Sequence, residues 1–267
     1  MRASFRAHGG VHAYWQARWN AVPADEDKLN LDRYPGIYAR EVMSRIDGPV
    51  LEAGCGAGRV LRHFHDHGCE IIGIDYISDI LAKIREADSS IQLASADIRT
   101  LPFGDEMFAG VMAFGLYHNL EMGLIDALHE TRRTLRPGGL LCASFRADNI
   151  QNRILDKIAD RQAALGLTKS YGPRSKKFHK MNYRKRELEG VFMDSGFTIE
   201  SLRLVENMSF LYKFAPFRAK GHKKFNEITA RAEGYKLSTT GQAIQSFLTA
   251  FSPSEFCNVY VVVAIRK

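Results

Sequence analysis

The chain has only four cysteines in 267 residues, Cys55, Cys69, Cys142 and Cys257, and no two form a C-x-x-C pair. Their scatter argues against a disulfide framework or a cysteine zinc site, and reduced thiols in a cytoplasmic protein are expected. No apolar run reaches the ~18 residues that would suggest a membrane span. The opening MRASFRAHGGVHAYW has no apolar core like that of a secretory leader. No G-K-[ST] follows a glycine loop, which excludes a Walker-type phosphate loop. Internal repeats and low-complexity tracts are also absent. Acidic residues are missing from one segment, KSYGPRSKKFHKMNYRKR, Lys169 to Arg186, which carries part of the formal net charge of +7. Such a tract suits nucleic acid, an anionic lipid or an acidic small molecule; the plainer reading is a solvated, mobile loop.

What remains is ordinary globular composition, long enough for one α/β domain with insertions. Apolar runs and their punctuation give the order of elements. GPVLEAGCG is a buried strand ending near Glu52. GRVLRHFHDHG is a helix with Val60, Leu61 and Phe64 inward, closed by Gly68. CEIIGIDY is a second buried strand, and SDILAKIREA a helix with Ser78 or Asp79 as its N-cap. IQLASADI and FAGVMAFG are the third and fourth strands. LIDALHETRRTL is a helix stopped by Arg136-Pro137-Gly138-Gly139, and GLLCASF is the fifth strand. Residues from about 148 to 182 are polar, basic and aromatic. RKRELEGVFMDSGF reads as an amphipathic helix with Leu188, Val191 and Phe192 inward. FTIESLRLVE and NVYVVVAI are two late strands. Strand–helix alternation of this kind implies a parallel, doubly wound sheet.

The informative loop is VLEAGCGAGR. Its glycines, Gly54, Gly56 and Gly58, directly follow a strand, where a ligand must approach the main chain closely. A dinucleotide G-x-G-x-x-G fails, because the third position falls on Arg59. Asp75 ends the next strand, about 17 to 20 residues on, in position to take two ribose hydroxyls. Asp97 follows the third strand and could accept from an exocyclic amine of adenine. In open α/β sheets, this strand edge is where ligands bind.

With VLEAGCGAGR, IIGIDYISDIL, ASADIRTLPFGDEMFAGVMAFGLYHNL, ALHETRRTLRPGGLLCASF and NYRKRELEGVFMDSGF in view, the chain resembles the class I S-adenosylmethionine-dependent methyltransferases, in their broad small-molecule branch. The resemblance covers roughly residues 48 to 200. It implies an α/β fold: a doubly wound, Rossmann-like, mostly parallel seven-stranded sheet with a helical N-terminal cap and late insertions. The corresponding division is a cap over 1–45, a core over 46–206 and 255–267, and an insertion over 207–254 that forms an acceptor-site lid or a dimer contact. The cofactor implied is S-adenosyl-L-methionine. Glycines 54, 56 and 58 would flank its methionine part, Glu52 its amino group, Asp75 and Tyr76 the ribose and adenine, and Asp97 with Ile98 the adenine edge. Ala113, Phe114 and Gly115 would line the sulfonium end. Many relatives begin the fourth strand with Phe-Asp, whereas Ala109-Gly110 stands here.

Methyl transfer needs alignment, exclusion of water and, for some acceptors, removal of a proton. In GLYHNL, Tyr117 would face the acceptor. His118 would be either a base or a histidine bonded to backbone at a helix start. AYWQARWN resembles the W-x-x-x-W entry of thiopurine-type methyltransferases. Tyr14, Trp15 and Arg18 would then close the site, with Arg18 on the cofactor carboxylate; the alternative is a packing helix. In HFHDH, His63 and His67 are one turn apart, a usable ligand spacing, but no metal is expected. The insertion carries Phe210, Tyr212, Lys213, Phe214, Phe217, Arg218, Lys220, Lys223 and Lys224 and reads as a lid, although such a mixture could also stack nucleobases. The expected function is methylation of a small-molecule acceptor such as a sugar, lipid or polyketide, on oxygen or nitrogen, by a monomer or homodimer. The alternatives are RNA methylation using the basic tract and a non-catalytic cofactor-binding module.

Overall fold

The computed structural model describes residues 1–7, 10–20, 29–166, 176–222, 224, 230 and 233–267. All four residues of β2 (Val50–Ala53) are buried, as expected of a central strand covered on both faces. Parallel neighbours flank it: β3 (Ile71–Asp75) pairs Ile72 with Leu51, and β5 (Phe108–Ala113) pairs Val111 with Leu51. β4 (Gln92–Ser95) lies outside β3, and β6 (Leu135–Arg146) outside β5. β9 (Val259–Arg266) inserts antiparallel between β6 and β8 (Phe197–Val205). The seven strands therefore run in the order β4-β3-β2-β5-β6-β9-β8. The direction of winding reverses between β2 and β5, and a crevice opens at such a switch point.

Strand alternation divides the core into two layers. Leu51, Ala53, Ile72 and Ile74 face one side, against α5 (Leu124–Thr134) and α7 (Lys185–Asp194). Val50 and Ile71 face the other, against α2 (Gly36–Met43), α3 (Arg59–Asp66) and α4 (Ser78–Ala87). Glu52 alternates with Leu51 and so shares the α3 side. On the first layer, Phe145 has no exposed surface. Its ring stacks on Tyr117 at 5.6 Å and meets Tyr183 and Phe192 edge-on at 5.5 and 5.6 Å.

Several expectations need correction. The N-terminal segment is not wholly helical: β1 (Arg2–Ala7) comes first and pairs antiparallel with β7 (Lys176–Asn182), forming a separate two-stranded ribbon. α1 (Val11–Asn20) follows it. Part of the basic tract is thus a strand, for which β1 supplies the pairing partner, and part is the start of α7; Lys169 to Ser175 lie outside the described residues, as does Lys223. Neither Ser78 nor Asp79 caps α4. Ile77 holds the cap position, and Asp75 Oδ1 accepts its N–H at 2.9 Å. The helix in LIDALHETRRTL ends at Thr134, and residues 136–139 belong to the extended β6. Between 148 and 182 lies another helix, α6 (Ile150–Ala164), capped by the Asn149 side chain accepting from Asn152 N–H at 3.0 Å. The late insertion contains α8 (Thr239–Phe251), which Ser238 caps.

Replacing Phe145 by Ala should cost about 3–5 kcal/mol, because three aromatic partners lose their contact and the cavity cannot fully collapse. Chemical denaturation measures this. A loss below about 1 kcal/mol would show that this ring cluster is not a centre of the core.

Candidate active site

The glycine loop follows β2 at the switch point. Gly56 has φ +52°, and the Trp19 ring lies against it. A Cβ on Gly56 would stand 2.6 Å from Trp19 Cζ2, so only glycine permits this approach. Asp75 Oδ2 accepts the Gly56 N–H at 2.9 Å while Oδ1 accepts that of Ile77. Burial raises the Asp75 carboxyl above its usual range against the pull of these N–H groups. Each oxygen keeps a second lone pair, and two are what a ribose diol requires. Tyr76 is exposed beside Asp75, with its ring edge-on to His12 at 5.1 Å.

Glu52 faces the start of α3. Gly58 offers that helix no side-chain cap, and Glu52 Oε2 instead accepts the Leu61 N–H at 2.7 Å. The residue is 5% exposed, and burial pushes its carboxyl up to about 8 despite Leu61 N–H and Arg59. Asp97 sits two residues past β4 and is bound by a group that sequence reasoning missed. Arg99 donates to both of its oxygens, at 2.6 Å from Nη2 to Oδ2 and 3.0 Å from Nε to Oδ1. Arg99 thereby holds the carboxyl below its usual range, and an adenine amine would have to share Asp97 with it. Ile98 is buried beside them.

Past β5 the chain turns at Gly115, whose φ is +83° and beside which a Cβ would meet nothing within 4 Å. Ser144 of β6 organises this corner. Its hydroxyl accepts the Gly115 N–H at 2.8 Å and bonds the Tyr34 hydroxyl at 2.9 Å; its carbonyl accepts from His118 Nδ1 at 3.3 Å. His118 is therefore the backbone-bonded histidine of the second reading, 4% exposed. Burial and the nearby Lys180 hold its imidazole well below the ordinary range. Tyr117 corrects the expectation that it meets an acceptor. The 3-10 turn Tyr117–Asn119 points its ring inward, and its hydroxyl bonds Thr131 Oγ1 at 2.7 Å.

α1 covers this edge. Its residues at helical spacing engage two walls, which explains why its apolar side chains form no single stripe. On one wall His12 meets Tyr76, and Gln16 Nε2 donates to Asp79 at 2.8 Å. On the other Tyr14 meets His179 edge-on at 5.2 Å, and Trp15 faces Lys180 at 5.9 Å. Trp15 stacks on Trp19 at 5.7 Å, linking the β7 wall to the glycine loop, and Arg18 lies over Trp15. Away from this edge, at the end of α3, the His67 Nδ1–H donates to the His63 carbonyl at 2.6 Å. A cleft of about 210 Å³ lies beyond Tyr34 and Tyr38, walled by Glu206, Asn207 and Gly234. Tyr34, Ser144, Lys180 and Arg99 carried no motif. Only their fold neighbours expose them.

A doubly wound, mostly parallel sheet with a glycine loop and a carboxylate at its switch point is a Rossmann-like α/β fold. A methyltransferase domain model matches residues 50–139. Malonyl-[acyl-carrier protein] O-methyltransferase of Enterobacter lignolyticus is 35% identical over 106 residues, 38% of this chain and 40% of the relative. The chain thus spans well under half the length of the curated relatives it matches first. Among solved structures, one concerning conversion of a disulfide bond into a thioacetal group during echinomycin biosynthesis has a TM-score of 0.58 at 18% identity, over 95% of this chain and 92% of that one. The 1,6-didemethyltoxoflavin-N1-methyltransferase of Burkholderia thailandensis, solved with S-adenosylhomocysteine, has a TM-score of 0.54 at 16% identity, over 95% and 84%. At these identities the solved structures establish the fold alone. Residues 50–139 therefore carry a methyltransferase domain, similar to that of a probable S-adenosylmethionine-dependent methyltransferase of Mycolicibacterium smegmatis, 29% identical over 119 residues. Among the described residues, no helix is long and apolar enough to cross a membrane, and no cluster of three metal-ligating side chains exists.

Glu52 gives this site a pH signature. The folded carboxyl keeps its proton up to about 8, whereas the unfolded one loses it near 4.5. Stability from this group is therefore lost as pH rises from about 4.5 to 8, with a slope of at most about 1.4 kcal/mol per unit. Glu52→Gln should gain on the wild-type chain across that interval in urea denaturation. Parallel stability curves would show Glu52 ionised throughout.

Proposed function

We propose that this chain uses S-adenosylmethionine to methylate an oxygen or nitrogen of a small-molecule acceptor. The reading rests on the Asp75 carboxylate held beside Gly56 at the switch point. Bound, the cofactor supplies a methyl group already activated by a sulfonium, so the protein needs no covalent nucleophile. Asp75 takes the ribose hydroxyls with Tyr76 alongside; Asp97 and Ile98 border the adenine; the loop of Gly54, Gly56 and Gly58, with Glu52 behind it, takes the methionine end. Ala113 and the open corner at Gly115 face the sulfonium, and Tyr14, Trp15 and Arg18 of α1 cover the acceptor side and exclude water. The insertion over 207–254 forms the outer wall through Asn207 and Gly234. His118 positions rather than abstracts: it is almost fully buried, and burial with the nearby Lys180 depresses the basicity of its ring. An RNA acceptor is less well supported, since the β7 part of the basic tract turns Lys180 inward beneath α1.

Calorimetry with S-adenosylhomocysteine tests the assignment. Asp75→Ala should lose about 100-fold or more in affinity, for two charge-assisted hydrogen bonds. Asp75→Asn, which keeps an acceptor for the Gly56 N–H, should fall between. Unchanged affinity in both variants would refute the site. Turnover of a methyl-labelled donor separates an enzyme from a binding module. His118→Gln should then keep kcat within about tenfold, whereas a general base would cost 10²–10⁴.

A further inference from the structure

The inner face of the β1–β7 ribbon carries more positive charge than its surroundings neutralise. Arg2, Arg6 and Arg146 all converge on one carboxylate, Asp156, at 3.1, 3.7 and 2.9 Å. Arg2 also reaches Asp148 at 2.7 Å. Arg146 is nearly fully buried and donates to Asn182 as well. The Arg6 Nε is buried without a hydrogen-bond partner among the described residues. Lys180 stands on the same ribbon, opposite Ser4. Its Nζ forms no hydrogen bond or ion pair among the described residues, and it lies 5.9 Å from the Trp15 ring. A partly buried ammonium with no carboxylate is costly to the fold. Burial, Arg146, Arg6 and Arg18 hold Lys180 well below the ordinary lysine range, and only Asp156 opposes them.

The place of this charge matters. Tyr183 N–H donates to the Arg146 carbonyl at 2.9 Å, so the end of β7 lies against the end of β6. Lys180 acts electrostatically on His118, which shares Ser144 with Gly115. Trp15 joins Lys180 to Trp19 on the glycine loop. The surplus charge therefore lies past the sulfonium corner, under α1, on the acceptor side.

We infer that the acceptor is an acid whose carboxylate or phosphate is held by Lys180, with Arg6 beside it, under Trp15. The inference rests on the methyltransferase reading and gives its acceptor a chemical class. An oxyanion at Lys180 would supply the counter-charge that the described residues do not.

Both tryptophans of the chain, Trp15 and Trp19, lie at this site, so intrinsic fluorescence reports on it. Protein saturated with S-adenosylhomocysteine is titrated with succinate, with inorganic phosphate and with neutral succinamide at constant ionic strength. Succinate or phosphate should give a saturable change, and succinamide should be about tenfold weaker or worse; the stronger of the two anions identifies the oxyanion. Lys180→Met should bring the acid down to the amide's level, and Lys180→Arg should restore most of the preference. Thermal denaturation is the second measurement. Lys180→Met should melt no lower than the wild-type chain, because an unpartnered charge has been removed. An acid no better than its amide, an unaltered preference in Lys180→Met, or a drop of several degrees in its melting temperature would overturn the inference. Failure to bind S-adenosylhomocysteine at all would sink the methyltransferase reading first; binding it while ignoring both anions would sink only the acidic acceptor.

Discussion

Two hydrogen bonds to one carboxylate hold the site together. Asp75 ends β3, and its oxygens accept the N–H of Gly56 from the β2 loop and of Ile77 at the head of α4. The loop, the strand tip and the helix start are thereby fixed to one anion. The anion is largely buried, at an energetic cost that these donors offset only in part. This bracing sets where the glycine loop lies and how closely Trp19 approaches it. A ligand diol would meet a carboxylate already oriented, so little ordering is left for the binding step.

Ser144 does comparable work at the opposite side of the crevice. One residue in the middle of a buried strand holds Tyr34, the turn at Gly115 and the ring of His118. These come from two distant parts of the chain, residue 34 and residues 115–118. Tyr34 precedes the first core strand, yet its hydroxyl is buried and its acidity suppressed, with a value pushed up to about 12. It serves as a neutral donor or acceptor in the wall. The N-terminal segment thus belongs to the site twice, through Tyr34 and through α1, although it lies outside the matched domain.

Alternating apolar runs made the five parallel strands and their helices legible, because a strand buried on both faces has to be continuously apolar. Asp75 was legible for the same reason: chain reversal at the sheet edge puts the last strand residue beside the loop. Pairing between β1 and β7 was not legible. It joins residues 2–7 to 176–182, and neither strand alternates clearly, since Arg2, Arg6 and Lys180 face inward where a pattern would place apolar groups. Tyr117 was misplaced because a 3-10 turn and a strand continuation differ in side-chain direction while reading alike in sequence. Arg99 was overlooked because a strand-edge acid two residues from an arginine resembles any exposed pair, until the turn folds the fork back onto it.

Two groups around this crevice are shifted toward their neutral forms, an acid behind the glycine loop and a base under α1. Glu52 keeps its proton to about 8, and Lys180 gives its proton up below the ordinary lysine range. Both shifts arise mainly from burial, and each would reverse on meeting a charge of opposite sign. A cofactor ammonium beside Glu52 and an acidic acceptor beside Lys180 would therefore restore both charges as they bind. Free energy withheld from the empty fold would be released into binding, and ligand affinity, folding stability and proton uptake become linked quantities in this chain.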